Sequence, residues 1–162
     1  MDGRLNVVFG FFYLLFTIAL GPLMLVPRAG ENLKAIGELS SNLSALPEEE
    51  LMQGVVQYLS QLSGSHFLAS AVHGHGNLEA VLNIVVGLVL LKLTLPALYK
   101  LIAGLLFLVG TLLHSGMLYL YGVFGVSWAL VFTKFGALSI VAGVLLMAVL
   151  SVVGFCRKEA CQ

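Results

Sequence analysis

Residues 72–91, VHGHGNLEAVLNIVVGLVLL, decide the architecture, because the first half of this stretch is polar and everything from Ile84 onward is apolar. Twenty residues at 1.5 Å rise span about 30 Å, the thickness of a bilayer's hydrocarbon core. A helix of that length carrying His73, His75, Asn77, Glu79 and Asn83 can cross a membrane when those groups face protein and have partners. The flanking sequence supplies the partners and the environment. Segments at about 5–26, 101–124 and 135–155 are each long and apolar enough to cross without help. Across the 162 residues, 59% are hydrophobic and only 10% are charged, whereas a soluble domain is about a quarter charged. The surface cannot be coated in water, so the lipid bilayer is the expected surrounding.

The expected fold is therefore all-α: an integral membrane four-helix bundle, one membrane domain over 1–162, with one long outer loop carrying a short amphipathic helix. That loop is 27–71. Pro27 is expected to end the first span and Pro96 to separate the second from the third, since proline cannot donate to a continuing helix. Within the loop, Pro47 followed by Glu48, Glu49 and Glu50 predicts a helix N-terminus. Leu51, Val55, Tyr58, Leu59 and Leu62 then share one face, suited to cap the bundle. The run after Asn6 is too long for a signal-peptide core and reads as a retained span.

Arg4, Lys92, Lys100, Arg157 and Lys158 fall on one side of such a bundle, against Arg28, Lys34 and Lys134 on the other. That bias puts both termini in the cytoplasm. Eight basic and eight acidic residues give zero net charge, so no nucleic-acid partner is expected. Cys156 and Cys161, close together near the C-terminus, make neither a disulfide framework nor a zinc site.

Depth selects partners for the polar groups. Glu79 precedes Lys92 by thirteen residues and His114 follows Lys100 by fourteen, so both lie roughly 20 Å from the same ends of antiparallel neighbours. The same counting sets His73 level with Tyr119. His75, Glu79 and Asn83 form one stripe of the second span, continued by Gly87, while Gly110, Thr111, His114, Leu118 and Tyr121 share a face of the third, with Ser115 and Tyr119 at its margin. Two facing histidines can hold haem, zinc or copper, and His114 with His75 or His73 is the candidate pair. His-x-His on a helix separates its rings by about 200°, so His73 and His75 share an axis only if Gly74 and Gly76 loosen the helix. His66 falls in the loop and reads as a solvated residue. A Ser115 nucleophile is disfavoured, since its side chain points about 100° away from that of its neighbour His114.

The run Gly110-Thr111-Leu112-Leu113-His114-Ser115-Gly116-Met117-Leu118-Tyr119-Leu120 resembles the signature of a small four-helix membrane family known as domain of unknown function 423. That resemblance implies architecture and no activity. Asn77-Leu78-Glu79-Ala80-Val81-Leu82-Asn83 resembles the His-Leu-Glu-Gly-Val-Met-Asn run of the hydroxylaminobenzene mutase and styrene oxide isomerase group. This second resemblance implies a membrane enzyme in which a histidine ligates haem b as a Lewis acid, with Asn83 and Tyr119 as counterparts of the substrate-binding residues. The haem-ligand position itself holds Asn77, with His75 and His73 two and four residues earlier.

The functional expectation is a buried His/Glu/Asn pocket that binds haem b or another metal. His75 and His114 are the ligands, His73 the substitute and Glu79 a member of the site. Redox-neutral isomerisation of a small apolar substrate would then use Asn83 and Tyr119. The rival expectation is a non-enzymatic membrane or assembly protein whose polar cluster is structural. Small-residue faces such as Ser139 and Gly143 also allow a homo-oligomer.

Overall fold

The computed structural model describes residues 3–43, 45, 47–67 and 71–159, and every regular element among them is helical. In chain order these are α1 (Arg4–Leu20), a π turn (Gly21–Leu25), α2 (Val26–Leu43), α3 (Glu48–Phe67), α4 (His73–Lys92), α5 (Ala97–Thr111), a second π turn (Leu112–Gly116), α6 (Met117–Phe124) and α7 (Ala129–Glu159). Four helical segments are long and apolar enough to cross a membrane: Arg4–Leu43, His73–Lys92, Ala97–Phe124 and Ala129–Gly154.

Pro27 does not end the first span, contrary to expectation. The helix runs for 40 residues from Arg4 to Leu43, because the π turn just ahead of Pro27 takes up the irregularity of two nearby prolines. There the Val26 amide donates to Gly21 O, five residues back, and this wider turn tolerates rings and missing donors that a regular α-helix would not. The expected outer loop 27–71 is consequently a helical hairpin of α2 against α3. Its second arm starts at Glu48, directly after Pro47 as the sequence implies, and runs for 20 residues rather than as a short helix. His66 lies in the backbone of that arm and not in a loop. The last apolar helix begins at Ala129, several residues before the predicted 135. Cys161 lies outside the described residues.

The remaining boundaries have local causes. Lys92 ends α4 where a cation suits the helix dipole, and Leu93 turns extended at φ −76° and ψ 139°. Pro96 then precedes the first turn of α5. Gly125 terminates α6 in the left-handed region at φ +71°, its amide donating to Tyr121 O at 3.0 Å.

The bundle is built on two tight crossings. Antiparallel α1 and α4 meet through glycine: a Cβ at Gly10 would lie 2.8 Å from Ala80 O, and one at Gly87 2.6 Å from Gly3 O. Antiparallel α5 and α7 meet likewise, a Cβ at Gly110 falling 2.7 Å from Ile140 Cγ1 and one at Gly143 2.9 Å from Phe107. Gly3, just before α1, packs on Gly87 and Leu90 and Gly154 of α7 packs on Leu93, so the start of α1 and this part of α7 lie at the end of the bundle that carries Lys92. One apolar cluster sits at that end, containing Leu90, Leu93, Ala103, Phe107, Met147 and Leu150. A second, of Leu25, Val72, Leu118, Tyr119 and Val123, sits at the hairpin end.

Polar side chains fill the layer between. Helix α1 is inside-out by the standard of a soluble helix: Asn6 is 1% exposed while Phe12 is 71% exposed. Its buried face is Asn6, Gly10, Tyr13 and Thr17, and its outer face is Leu, Val and Phe, as expected where the solvent is lipid.

Candidate metal centre

Helix α4 supplies the axis of the site. His75, Glu79 and Asn83 stand four residues apart and form one stripe, and regular helix over His73–Lys92 keeps them aligned. Gly74 and Gly76 do not loosen it, so the rings of His73 and His75 diverge and serve different neighbours.

The π turn of the facing helix presents two consecutive side chains to two different partners. His114 Nδ1 forms a very short hydrogen bond with Glu79 Oε1 on α4. Ser115 Oγ shares a 2.8 Å hydrogen bond with the Tyr13 hydroxyl on α1, and also donates to Thr111 O at 3.2 Å. A regular α-helix would carry one of them away from the core, whereas the widened turn uses both. Helix α7 braces the turn from behind: Gly136 sits so close to the His114 amide and the Leu113 carbonyl carbon that a Cβ there has no room.

The second imidazole completes the group. The rings of His75 and His114 meet edge to face, with centroids 5.0 Å apart and an interplanar angle of 77°. One ligand atom from each of His75, Glu79 and His114 lies within 4.8 Å of the others. Burial is graded across the three, with Glu79 4% exposed, His114 half-buried and His75 at the surface. Glu79 Oε2 is buried and has no hydrogen-bond partner among the described residues. The hydrogen bond from His114 gives the buried Glu79 carboxyl a partner and offsets part of the cost of placing it in a low-dielectric layer.

The neighbouring polar groups have other tasks. Asn83 donates to Thr111 Oγ1 at 2.8 Å and to Glu79 O at 3.0 Å, and accepts from Asn6 Nδ2 at 3.1 Å. Asn6 also donates to Gly104 O at 2.9 Å. Both donors of Asn83 are spent and the side chain is fully buried, so its surroundings are a satisfied tie between α1, α4 and α5. Tyr119 lies against Gly76, close to the level that residue counting gave it, with its ring edge-on to Phe16 at 6.0 Å. Its hydroxyl is buried without a partner among the described residues. His73 turns away from the cluster to Asn77, 3.0 Å from its amide.

The contribution of α1 was not foreseen. Asn6, Tyr13 and Thr17 all enter the polar layer, and their signal was present: Asn6, Gly10, Tyr13, Thr17 and Gly21 recur every three or four residues in a helix whose other residues after Arg4 are all apolar. No protein-family model, no curated protein and no solved structure matches this chain, so what the cluster does has to be read from its own residues.

Proposed function

We propose that this is a multi-pass membrane protein whose His75, Glu79 and His114 bind one divalent transition-metal ion within the membrane-spanning bundle. The observation that carries the proposal is the convergence of two imidazoles and a carboxylate, with ligand atoms within 4.8 Å of one another. Two nitrogens and one oxygen suit zinc or ferrous iron, and three protein ligands leave a coordination position open to a small molecule. The buried, unpartnered Glu79 Oε2 supports the assignment, because a second carboxylate oxygen in that setting needs a cation or a donor. Exposure of His75 gives the ion a route in.

Haem b held between His75 and His114 does not fit this geometry. Axial nitrogens at about 2 Å on opposite faces of a porphyrin put the ring centres roughly 6 Å apart with the macrocycle between them. Here the centroids are 5.0 Å apart and the rings touch edge to face. A haem on His114 alone, with Glu79 orienting its Nδ1, keeps the chemistry that the isomerase resemblance implies. In either form the metal would act as a Lewis acid at its open position, and a small apolar substrate would reach it from the lipid.

Metal analysis of protein purified without a polyhistidine tag tests this. Stoichiometric zinc or iron is expected, lost in His114→Ala and in Glu79→Ala, and Co²⁺ added to stripped protein should develop visible ligand-field bands that His75→Ala weakens. A Soret band lost in His114→Ala would establish the single-histidine haem form. Folded protein that takes up neither metal nor haem would leave the cluster with a structural role.

A further inference from the structure

Tyr13 reaches the helix that carries His114 from α1, which supplies no ligand to the metal cluster. Its hydroxyl lies 2.8 Å from Ser115 Oγ, and Ser115 Oγ lies 3.2 Å from Thr111 O. Proton counting sets the direction of both bonds. Thr111 O can only accept, so the single Ser115 proton goes there, and the Tyr13 O–H donates to Ser115 Oγ. Both side chains are buried, and the sequence of donors from Tyr13 through Ser115 to Thr111 O is complete.

What these bonds grip is the π turn. Thr111 O is the carbonyl that a regular α-helix would pair with the Ser115 amide, and Thr111 is the residue from which the widened turn Leu112–Gly116 opens. A π turn takes in one residue more than an α turn, so it offsets the helix faces before and after it by about 100°. The Tyr13 hydroxyl also lies over the end of the turn, 3.7 Å from where a Cβ of Gly116 would be. On α7, Gly136 leaves no room for a Cβ beside the His114 amide. Glu79 holds the turn at His114 and Tyr13 holds it at the next residue. Because α1 and α4 are locked together at Gly10 and Gly87, these two holds are fixed relative to each other.

We propose that Tyr13 is a positioning residue for the metal centre, keeping the π turn, through Ser115, in the register that sets His114 against Glu79 and beside His75. The role rests on His75, Glu79 and His114 being metal ligands, as proposed above. Without the Tyr13 hydroxyl, Ser115 loses its tie to α1, the turn relaxes toward regular α geometry, and the His114 imidazole swings off the Glu79 carboxyl group.

The test uses full-length protein without a polyhistidine tag in phosphatidylcholine nanodiscs. Tyr13→Phe deletes one oxygen and keeps the buried ring, and Ser115→Ala removes the same bond from its other end. Ser139→Ala is the control: it removes a hydrogen bond of the same 2.8 Å length, from α7 to Leu106 O on α5, away from the cluster. With a chelator present, NMR of ¹⁵N-histidine protein follows the proton of the His114–Glu79 hydrogen bond, assigned as the signal that survives replacement of His66, His73 and His75 by Gln. Tyr13→Phe and Ser115→Ala should each move this far-downfield proton upfield, and Ser139→Ala should leave it in place. With Co²⁺ added instead, each of the two should weaken binding roughly 10-fold, the lower end of what lost support around a metal ligand costs, while Ser139→Ala binds as wild type does. A wild-type proton position in folded Tyr13→Phe or folded Ser115→Ala would overturn the positioning role, whether or not metal binds. A moved proton with unchanged Co²⁺ affinity would overturn its bearing on the metal. Wild-type protein that takes up no Co²⁺ would overturn the metal assignment of the cluster, and the proton signal would still decide whether Tyr13 positions His114.

Discussion

A carboxylate among apolar helices is tolerable only when its charge is shared, and Glu79 shares it with His114 through one short hydrogen bond. Removing either partner leaves the other buried alone. His114→Ala and Glu79→Gln should therefore each destabilise the protein by on the order of 3 to 5 kcal/mol, and the double variant should cost clearly less than their sum in reversible unfolding from mixed micelles. Additive losses would dissolve the pairing. Asn83→Ala belongs to a different class: it opens the tie with Asn6 and Thr111, at about 1 to 3 kcal/mol, but should leave metal stoichiometry unchanged because Asn83 lies outside the three-residue group. The Glu79–His114 contact was legible from the sequence because Lys92 and Lys100 supply two fixed rulers on adjoining antiparallel helices. Asn6 has no such partner in sequence, and its contacts to Asn83 and Gly104 arise from α1 crossing both helices, which residue counting along one pair does not reveal.

Helices here are shaped by where their backbones touch. At Gly10 an added Cβ would come within 2.6 Å of Ile84 Cγ1 and 2.8 Å of the backbone oxygen of Ala80, and a backbone oxygen cannot step aside. Gly10→Ala should then force α1 and α4 apart and cost about 1 to 3 kcal/mol. Gly30, on α2, has nothing among the described residues within 4 Å of the same added atom. Gly30→Ala should stabilise by about 0.5 to 1 kcal/mol through helix propensity alone, and opposite signs for one chemical change separate crossing from propensity. The two π turns were the least legible elements. Pro27 carries the ordinary sign of a helix stop, and nothing local to it announces that Gly21–Leu25 will absorb the fault and let the chain continue to Leu43. Likewise, a regular helix through Leu112–Gly116 puts Ser115 and Tyr119 at the margin of the buried face, whereas the widened turn draws both fully inside.

At the scale of the whole molecule, the distribution of exposure decides the environment. Large apolar side chains such as Phe12, Leu138 and Leu145 lie outermost, while Asn6, Thr17, Asn83 and Ser115 are fully buried, the reverse of a protein dissolved in water. Arg4–Leu43 is about 60 Å long at 1.5 Å per residue, twice the hydrocarbon core, so α2 with its salt-linked Lys34 and Glu38 must project beyond the membrane, and α3 with it. The bundle's opposite end holds Arg4, Lys92 and Lys100 close to the turn between α4 and α5, and the basic-residue rule gives the expectation, to be tested, that this end faces the cytoplasm. Two exposed positions distinguish the sides: Ser41 on the projecting hairpin and Thr94 in the turn. With Cys156 and Cys161 replaced by serine, Ser41→Cys should react with an impermeant maleimide added to intact cells, and Thr94→Cys only after the membrane is opened. Reaction at Thr94 alone would keep the bundle and invert it. Reaction at both from outside would refute crossing by α4, and with it the placement of Glu79 and His114 inside the membrane.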